Sequence, residues 1–381
     1  MKLLIYIFLI ILVTDVIINV NCNEIFGPKG KGAKGGANGA KGKKHRPKKF
    51  TDAELETTDK GTLYETFVKE HGKKWKDNTA EKGKRRKHFD KAVNEIVKRN
   101  KNNKGNRHKR FKLEPNFMAD LSPEEKKRMM GKKTKQPPRT FMETVKSTKA
   151  TTSNFLKKKN KVWEPIDWRS HFSTPRDQGM CGGCWAFAMS GVLEGRNSIL
   201  GKSNEYISPQ QLINCEPYSM GCDAGDFPNT LRWFSEGNGV ILDKTNPYVG
   251  AKDFCNISMN QWTTTVTGNE HCVFYEPNNQ CNEQRIYDLL KNGPVLVGID
   301  GNSMDVQYYS SGILSPSDCT ESNHAVILVG YGVEDGMEFW IIRNSWSEYW
   351  GEDGYVRIEK NVANQNSCFI TQEAWAPIVQ Q

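Results

Sequence analysis

The sequence predicts an α+β fold, because some segments have the residue spacing of helices and others the pattern of strands. Glu81, Arg85, Phe89, Ile96 and Asn100 follow one another at intervals of 4, 4, 7 and 4 residues, which places them on one helix face. A second helix is expected where an apolar run begins at Cys184. Apolar or alternating runs typical of strands lie further along the chain, at residues 294–299, 325–329, 339–342 and 355–358.

The chain starts with a short apolar run that predicts a signal peptide. Its 381 residues exceed the length of one compact unit, so several units are expected. Residues 3–13 are apolar, and Asp15 and Asn19 interrupt this pattern before Cys22. Because the run is too short to cross a bilayer, we predict a signal peptide at residues 1–22, with an uncleaved anchor as the alternative.

A basic segment follows and is expected to be disordered over residues 23–60. Residues 27–49 are mainly Gly, Ala and Lys, and such a composition buries too little apolar surface to offset its ordering entropy. The segment could be a solvated tail or could contact a polyanion. Residues 28–49 contain no aromatic side chain on which a base could stack, so specific nucleic-acid recognition is not expected.

Cys184 has the sequence surroundings of a reactive thiol. It ends the stretch QGMCGGC, which starts at Gln178, and the partial charge of a helix N-terminus would favour its thiolate. Downstream, His324 begins the run HAVILVGYG, and Asn344 begins the triplet NSW, which ends at Trp346. Each residue alone is more often a structural group. Together they indicate a nucleophile, a base and a residue that orients the base.

These motifs resemble those of the papain family of cysteine peptidases. The resemblance implies a helical lobe and a β-barrel lobe with the active site in the cleft between them. It implies that Cys184 forms an acyl-enzyme thioester, that His324 serves as acid and base, and that Asn344 orients His324. Gln178 would donate a hydrogen bond to the oxyanion, and Trp346 would keep water from the His324–Asn344 bond.

The resemblance also implies what the enzyme needs and acts on. No metal or other cofactor is expected, the substrates are proteins and peptides, and the mature domain is expected to be a monomer. Two alternatives stay open: a papain-like binding protein without catalysis, and a polyanion-binding protein whose basic tail carries the peptidase domain.

Residues 61–130 resemble the helical inhibitory prodomain of the cathepsin L-like branch. The helical positions described above carry the first motif, with Ala92 where an Asn is usual. The second motif is NFMADLSPEE, in which Asn116 and Asp120 are in place and Met118 stands where a Phe is usual. Periodicity alone would support only an amphipathic helix with a structural role. We predict an intramolecular inhibitor, a cleavable linker at residues 131–161 and a peptidase domain at residues 162–381.

The ten cysteines fit a protein of the secretory pathway, lysosomal or extracellular. The tripeptide starting at Asn256 is a glycosylation sequon. The resemblance implies three disulfides, and elimination leaves a fourth, so the expected pairs are Cys181–Cys222, Cys215–Cys255, Cys319–Cys368 and Cys272–Cys281.

The resemblance further places a substrate pocket for the second residue upstream of the cut. Gly225 would pair with the substrate backbone, and the pocket would be lined by Phe227, Gly298 and Ala325, with Glu373 at its floor. A carboxylate at the end of an apolar slot can pair with Arg or Lys. We therefore expect Arg to be accepted as well as bulky apolar residues; the alternative is that Glu373 points to solvent.

The charge distribution suggests how the inhibitor is held. The net charge of +10 divides into +25 for residues 1–161 and −15 for residues 162–381. Attraction between the two parts would fade as carboxylates protonate, mostly below about pH 5. Acid would then loosen the inhibitor.

Overall fold

A computed structural model describes residues 46–73, 75, 78–104, 111–133, 163–258, 261–276, 278–360 and 367–380. The predicted signal peptide, the basic segment up to residue 45, the predicted linker from residue 134 to residue 161 and residue 162 lie outside these residues. Within the described ranges, no helix combines the length and apolar character needed to span a bilayer.

The N-terminal region is helical, and polar side chains cap its helices. Thr51, Asp59, Asn78 and Ser122 each accept a hydrogen bond from a backbone N–H in the first turn that follows. The elements are α1 (Asp52–Thr57), α2 (Lys60–Glu70), α3 (Thr79–Asn103), strand β1 (Phe111–Leu113) and α4 (Pro123–Arg128).

The expected disorder of residues 23–60 is wrong for residues 46–60. Phe50 and Leu55 are buried against the helices, and α1 lies within this stretch. The expectation rested on the Lys-rich composition of the segment and overlooked these two apolar residues. Their burial offsets the cost of ordering the segment.

The predicted face of α3 is split between apolar packing and charge pairing. Phe89 and Ile96 are fully buried, and the Asn100 side chain bonds both the N–H and the C=O of Leu113 at 3.0 and 2.9 Å. Arg85 instead pairs with Glu81 and Glu125 at 2.6 Å each. The motif therefore fixes the strand and helix that follow α3.

The helical lobe is built around α5 (Cys184–Ile199), with α6 (Pro209–Cys215) and α7 (Phe227–Ser235) beside it. Most of α5 is buried on all sides, because it packs against the other helices and also against the sheet. Gly191 allows this approach: an added methyl would lie 2.6 Å from Ile327 on the sheet.

After β1, the strands are β2 (Ile166–Asp167), β3 (Gly239–Val240), β4 (Thr264–Val273), β5 (Val295–Ile299), β6 (Tyr309–Leu314), β7 (His324–Glu334), β8 (Met337–Arg343), β9 (Tyr355–Glu359) and β10 (Glu373–Val379). They form one mixed sheet in the order β1-β6-β9-β8-β7-β5-β10-β4-β3, with β2 paired to β7. The four predicted strand runs correspond to β5, β7, β8 and β9. Helix α8 (Glu283–Leu290) precedes β5 in the sequence, and α9 (Met304–Gln307) follows it.

The described sheet is open and does not close into the expected β-barrel. Its end strands β1 and β3 do not pair with each other. One end is instead covered by the N-terminal region, since β1 pairs antiparallel with β6 through Phe111 and Gly312. An edge strand that is paired in this way no longer offers free backbone groups to solvent.

The four disulfides are the three pairs that the family resemblance implied and the fourth that elimination left. They are Cys181–Cys222, Cys215–Cys255, Cys272–Cys281 and Cys319–Cys368. Cys184 is the free cysteine of the described residues. Asn256, in the sequon, is exposed.

Candidate active site

The Cys184 thiol lies at the junction of the two lobes. Cys184 is the first residue of α5 and is fully buried. Its sulfur interacts with the backbone of Ala325, which follows His324 at the start of β7. The helix of one lobe therefore places Cys184 beside the strand of the other lobe, which begins at His324.

His324 is held by a side chain from the neighbouring strand end. Asn344 follows β8, which pairs with β7, and its Oδ1 accepts a hydrogen bond from His324 Nε2 at 2.8 Å. An amide oxygen can only accept, so Nε2 carries the proton. Nδ1 is buried without a hydrogen-bond partner, and the ring stacks on Trp346 with centroids 4.5 Å apart. The free nitrogen is thus available to a thiol.

Gln178 has its side-chain amide fixed in one orientation. Its Oε1 accepts from Ser345 Oγ at 2.6 Å, and its Nε2 donates to the Cys181 carbonyl at 2.9 Å. The same Nε2 donates to the Met129 carbonyl at 2.8 Å. A carbonyl from the N-terminal region therefore occupies the donor expected to bind an oxyanion.

A segment of the N-terminal region, residues 129–133, lies in the cleft. Gly225 N–H donates to the Gly131 carbonyl at 2.8 Å, and Lys133 N–H donates to the Gly225 carbonyl at 2.9 Å. Gly131 fits only as glycine, because a methyl there would lie 1.6 Å from the Gly182 carbonyl oxygen. Residues 131–133 were expected in the linker. That boundary is wrong, because these residues are bound to the cleft wall.

The side chain of Lys132 fills a pocket beside this wall. It is 1% exposed and forms an ion pair with Glu373, whose side chain is 12% exposed. Lys132 Nζ lies 5.8 Å from the centroid of the Phe227 ring, and an added methyl on Gly298 would lie 2.7 Å from Lys132 Cε. Of the expected pocket residues, these three surround the lysine.

Ala325, the fourth expected pocket residue, lies beside the Cys184 thiol. It pairs with Gly298 across β5 and β7 and interacts with Cys184 through its backbone. It therefore contributes to the wall between the pocket and the thiol.

Burial keeps the catalytic groups neutral in this covered state. It raises the pKa of the Cys184 thiol, against the opposing effect of backbone hydrogen bonds and the Lys132 charge. It lowers the pKa of His324 to about 4, although the Asn344 hydrogen bond acts in the other direction. The expected thiolate is therefore wrong for this state, because removal of water outweighs the backbone hydrogen bonds and the Lys132 charge.

Several residues of the site escaped the sequence analysis. Met129, Gly131 and Lys132 have no motif of their own, and Ser345 was not assigned a role although it lies inside the NSW triplet. Trp375, whose Nε1 donates to Glu373 Oε2 at 2.9 Å, could have been found, because residues two apart on a strand share one face.

Comparison with protein-family models matches both parts of the chain. Residues 162–378 match the papain family cysteine protease model, and residues 64–125 match the cathepsin propeptide inhibitor domain model.

Curated relatives include plant cysteine proteases. A cysteine proteinase of Brassica napus is 36% identical over 56% of this chain and 65% of its own length. Zingipain-2 of Zingiber officinale is 35% identical over 56% of this chain and 96% of its own length. A probable cysteine protease of Arabidopsis thaliana is 31% identical over 86% of this chain and 67% of its own length.

Solved structures of proenzymes resemble the whole described arrangement. Digestive procathepsin L 3 of the Tenebrio molitor larval midgut is 28% identical, with a TM-score of 0.69 over 84% of this chain and 99% of that one. A recombinant stem bromelain precursor is also 28% identical, with a TM-score of 0.68 over 84% and 99% of the two chains. The chain therefore belongs to the papain family of cysteine proteases, with a cathepsin-type propeptide inhibitor domain ahead of the protease domain.

Proposed function

We propose that this chain is the zymogen of an endopeptidase that hydrolyses peptide bonds with Cys184 and His324. The observation that carries the proposal is the hydrogen bonding of the two ring nitrogens of His324. Asn344 holds its Nε2 proton, and its buried Nδ1 is unpaired beside the strand backbone that meets the Cys184 sulfur. This is the arrangement that a base needs to accept a thiol proton.

The reaction begins when residues 129–133 leave the cleft. Water then reaches Cys184, and the α5 N-terminus and backbone hydrogen bonds can stabilise its thiolate. The thiol proton moves to His324 Nδ1, and the sulfur attacks the carbonyl carbon of the scissile bond. Negative charge develops on the carbonyl oxygen, where Gln178 Nε2 and the Cys184 N–H donate hydrogen bonds.

His324 completes both half-reactions. It donates its proton to the leaving amine as the C–N bond breaks, which leaves a thioester on Cys184. It then accepts a proton from water, whose oxygen attacks the thioester carbon, and returns that proton to the departing sulfur. The Trp346 ring, stacked on the imidazole, shields the His324–Asn344 hydrogen bond throughout.

The prodomain inhibits because its chain direction is opposite to that of a substrate. Lys132 in the pocket follows Met129, whose carbonyl meets Gln178, by three residues in the sequence. In a substrate, the residue in a pocket for the second position upstream would precede the carbonyl at Gln178. The segment therefore fills the cleft without presenting a bond in the productive order.

The pocket is proposed to accept Lys or Arg at the second position upstream of the cut, as well as bulky apolar residues. A buried lysine already pairs there with Glu373. Removing the carboxylate in Glu373→Gln should lower the ratio of kcat/KM for an Arg-Arg over a Phe-Arg fluorogenic peptide. An unchanged ratio would refute this specificity.

The catalytic proposal is tested by labelling the acid-treated zymogen with an epoxide probe. We expect one probe per chain on Cys184, appearing together with peptidase activity, and no labelling of Cys184→Ser. An acid-processed protein that neither labels nor cleaves peptides would favour a non-catalytic binding protein.

The four disulfides and the exposed sequon asparagine support maturation in the secretory pathway, in a lysosomal or extracellular protein.

A further inference from the structure

Among the described residues, the carboxylate of Glu373 has a partner on each of its two oxygens. Oε1 faces the Lys132 ammonium of the prodomain. Oε2 accepts a hydrogen bond from the indole Nε1 of Trp375 at 2.9 Å. The first partner leaves with the prodomain, whereas the second belongs to the same strand of the protease domain.

The Trp375 indole is itself held in place. Glu373 and Trp375 are two residues apart on β10, so their side chains project from the same face of the sheet. On β4, His271 lies directly opposite Trp375, and the two rings stack with centroids 4.3 Å apart and planes 7° apart. Trp375 as a whole residue is 8% exposed. Its N–H is therefore a fixed donor, and its position does not depend on Lys132.

We propose that Trp375 is a positioning residue for substrate specificity, which holds the Glu373 carboxylate inside the pocket with Oε1 free for a basic side chain. The inference rests on the proposed specificity of this pocket. A glutamate side chain on its own has three rotatable bonds and could turn towards water when an apolar residue enters. The indole hydrogen bond opposes that rotation, so the charge stays where a Lys or Arg head group arrives.

The shape of the pocket supports a long basic side chain. The methyl of an alanine at 298 would lie 2.7 Å from Lys132 Cε and 3.1 Å from Lys132 Cδ, so Gly298 leaves the space that the lysine stem uses. Phe227 lies over the cation at 5.8 Å. The pocket thus offers an apolar passage that ends at an oriented negative charge.

The fixed Glu373 carboxylate should affect substrates with a basic residue in the pocket differently from substrates with an apolar residue there. With the carboxylate held inside, a basic residue gains the ion pair without first reorienting Glu373. An apolar residue must instead lie against a buried carboxylate, which is unfavourable. Loss of the indole N–H should therefore weaken basic substrates and improve apolar ones, which is a change in selectivity rather than a uniform loss of activity.

The test uses the mature enzyme and the variants Trp375→Phe, Glu373→Gln and the double variant. Phe retains a ring against His271 and removes only the donor. We expect the ratio of kcat/KM for Arg-Arg over Phe-Arg peptides to fall about tenfold in Trp375→Phe, the size expected for one hydrogen bond to a charged group. In the Glu373→Gln background the same substitution should change the ratio by less than about twofold.

Controls separate orientation from packing. Trp168 also donates its indole N–H, to the Leu290 carbonyl at 2.9 Å, away from the pocket; Trp168→Phe should leave the ratio unchanged. Trp375→His retains a ring N–H and should restore part of the ratio. Thermal unfolding establishes that each variant is folded, and Trp375→Leu serves as the donor-free variant if Trp375→Phe does not fold.

The outcomes distinguish this inference from the pocket proposal on which it rests. If Glu373→Gln leaves the wild-type ratio unchanged, the pocket proposal itself fails. If Glu373→Gln lowers the ratio but Trp375→Phe and Trp375→Leu do not, only the role of Trp375 is overturned. If Trp375→Phe lowers the kcat/KM ratio by the same factor in the wild-type and Glu373→Gln backgrounds, the indole acts through packing. That result would also overturn the role of Trp375.

Discussion

At the scale of single residues, the Gln178 side chain connects the proposed catalysis with inhibition. Ser345 fixes its amide, and the donor that would meet an oxyanion is occupied by the Met129 carbonyl. In the proposed mechanism, catalysis and inhibition therefore use the same hydrogen-bond donor.

The Gln178→Ala substitution should affect both processes. In the mature enzyme we expect kcat to fall by about 10²–10³, the usual loss for one oxyanion donor. Isolated prosegment should also bind the variant more weakly, because Met129 loses its partner. Peptide hydrolysis and prosegment inhibition constants measure the two effects. Gln284→Ala, an exposed glutamine on α8, is the matched control; a Gln178→Ala enzyme with the kcat of this control would contradict the assignment.

His324 should make binding of the prosegment sensitive to acid. Burial lowers the pKa of His324 to about 4 in the covered state, below its ordinary value of about 6.5. The open state therefore binds more protons between these values, and acid favours opening. Prosegment affinity should fall by up to about tenfold per pH unit from this group between about pH 6.5 and pH 4.

This pH effect can be isolated in inactive protein. Prosegment affinity for Cys184→Ser is measured across that pH range by calorimetry, with and without His324→Gln. Glutamine takes up no proton, so the slope should be smaller by up to one proton, and the slope from the other titrating groups should remain. Identical slopes in the two proteins would exclude His324 as the source.

At the scale of elements, the short segment at residues 129–133 is the inhibitory part of the prodomain. Helices α1–α4 and strand β1 anchor it, and it contacts Gln178, Gly182 and Gly225 of the protease domain. Its fit depends on Gly131, whose Cα approaches the Gly182 backbone too closely for any side chain.

The Gly131→Ala substitution should therefore weaken latency without unfolding the prodomain. The added methyl would overlap the Gly182 carbonyl, so the segment must lift from the cleft. We expect the unprocessed zymogen to become reactive towards an epoxide probe at neutral pH, at least about tenfold faster than wild type.

Gly83→Ala provides the control for this experiment. Gly83 lies in α3 of the same domain, and nothing lies within 4 Å of the methyl that the substitution would add. That variant should stay latent and gain about 1 kcal/mol of helix stability. Equal labelling of the two variants would contradict the role given to Gly131.

At the scale of the whole molecule, ion pairs connect the basic N-terminal part of the chain, with a net charge of +25, to the acidic protease domain, with a net charge of −15. Arg99 on α3 donates to Asp305 and Asp318 of the protease domain at 2.8 and 2.9 Å. Asp305 is 2% exposed, so this pair is shielded from solvent far more than the surface pairs around it.

Arg99→Gln should raise the inhibition constant of the isolated prosegment by about 30-fold, because it leaves a buried carboxylate unpaired. Arg86→Gln removes an exposed arginine of the same helix, 3.7 Å from Asp90, and should change it by less than about threefold. Inhibition should also weaken at high salt. A constant that does not change with salt or with Arg99→Gln would refute electrostatic docking.

The sequence alone was sufficient to indicate the family and most of the catalytic site. Local patterns determined this: an apolar run after Cys184, a polar-to-apolar change at His324 and the triplet at Asn344 each depend on neighbouring residues only. The helix face of α3 and strands β5, β7, β8 and β9 were predictable for the same reason, because periodicity records which face is buried.

Only the tertiary structure decided what depends on distant parts of the chain meeting. Residues 46–60 are ordered because Phe50 and Leu55 pack against helices that follow in the sequence. The sheet is open, and β1 pairs with its edge strand β6. Lys132 enters the pocket of Glu373, 241 residues further along the chain. The pKa values of Cys184 and His324 follow from burial in the closed cleft. Burial and pairing are properties of the folded chain, so no local pattern could have given them.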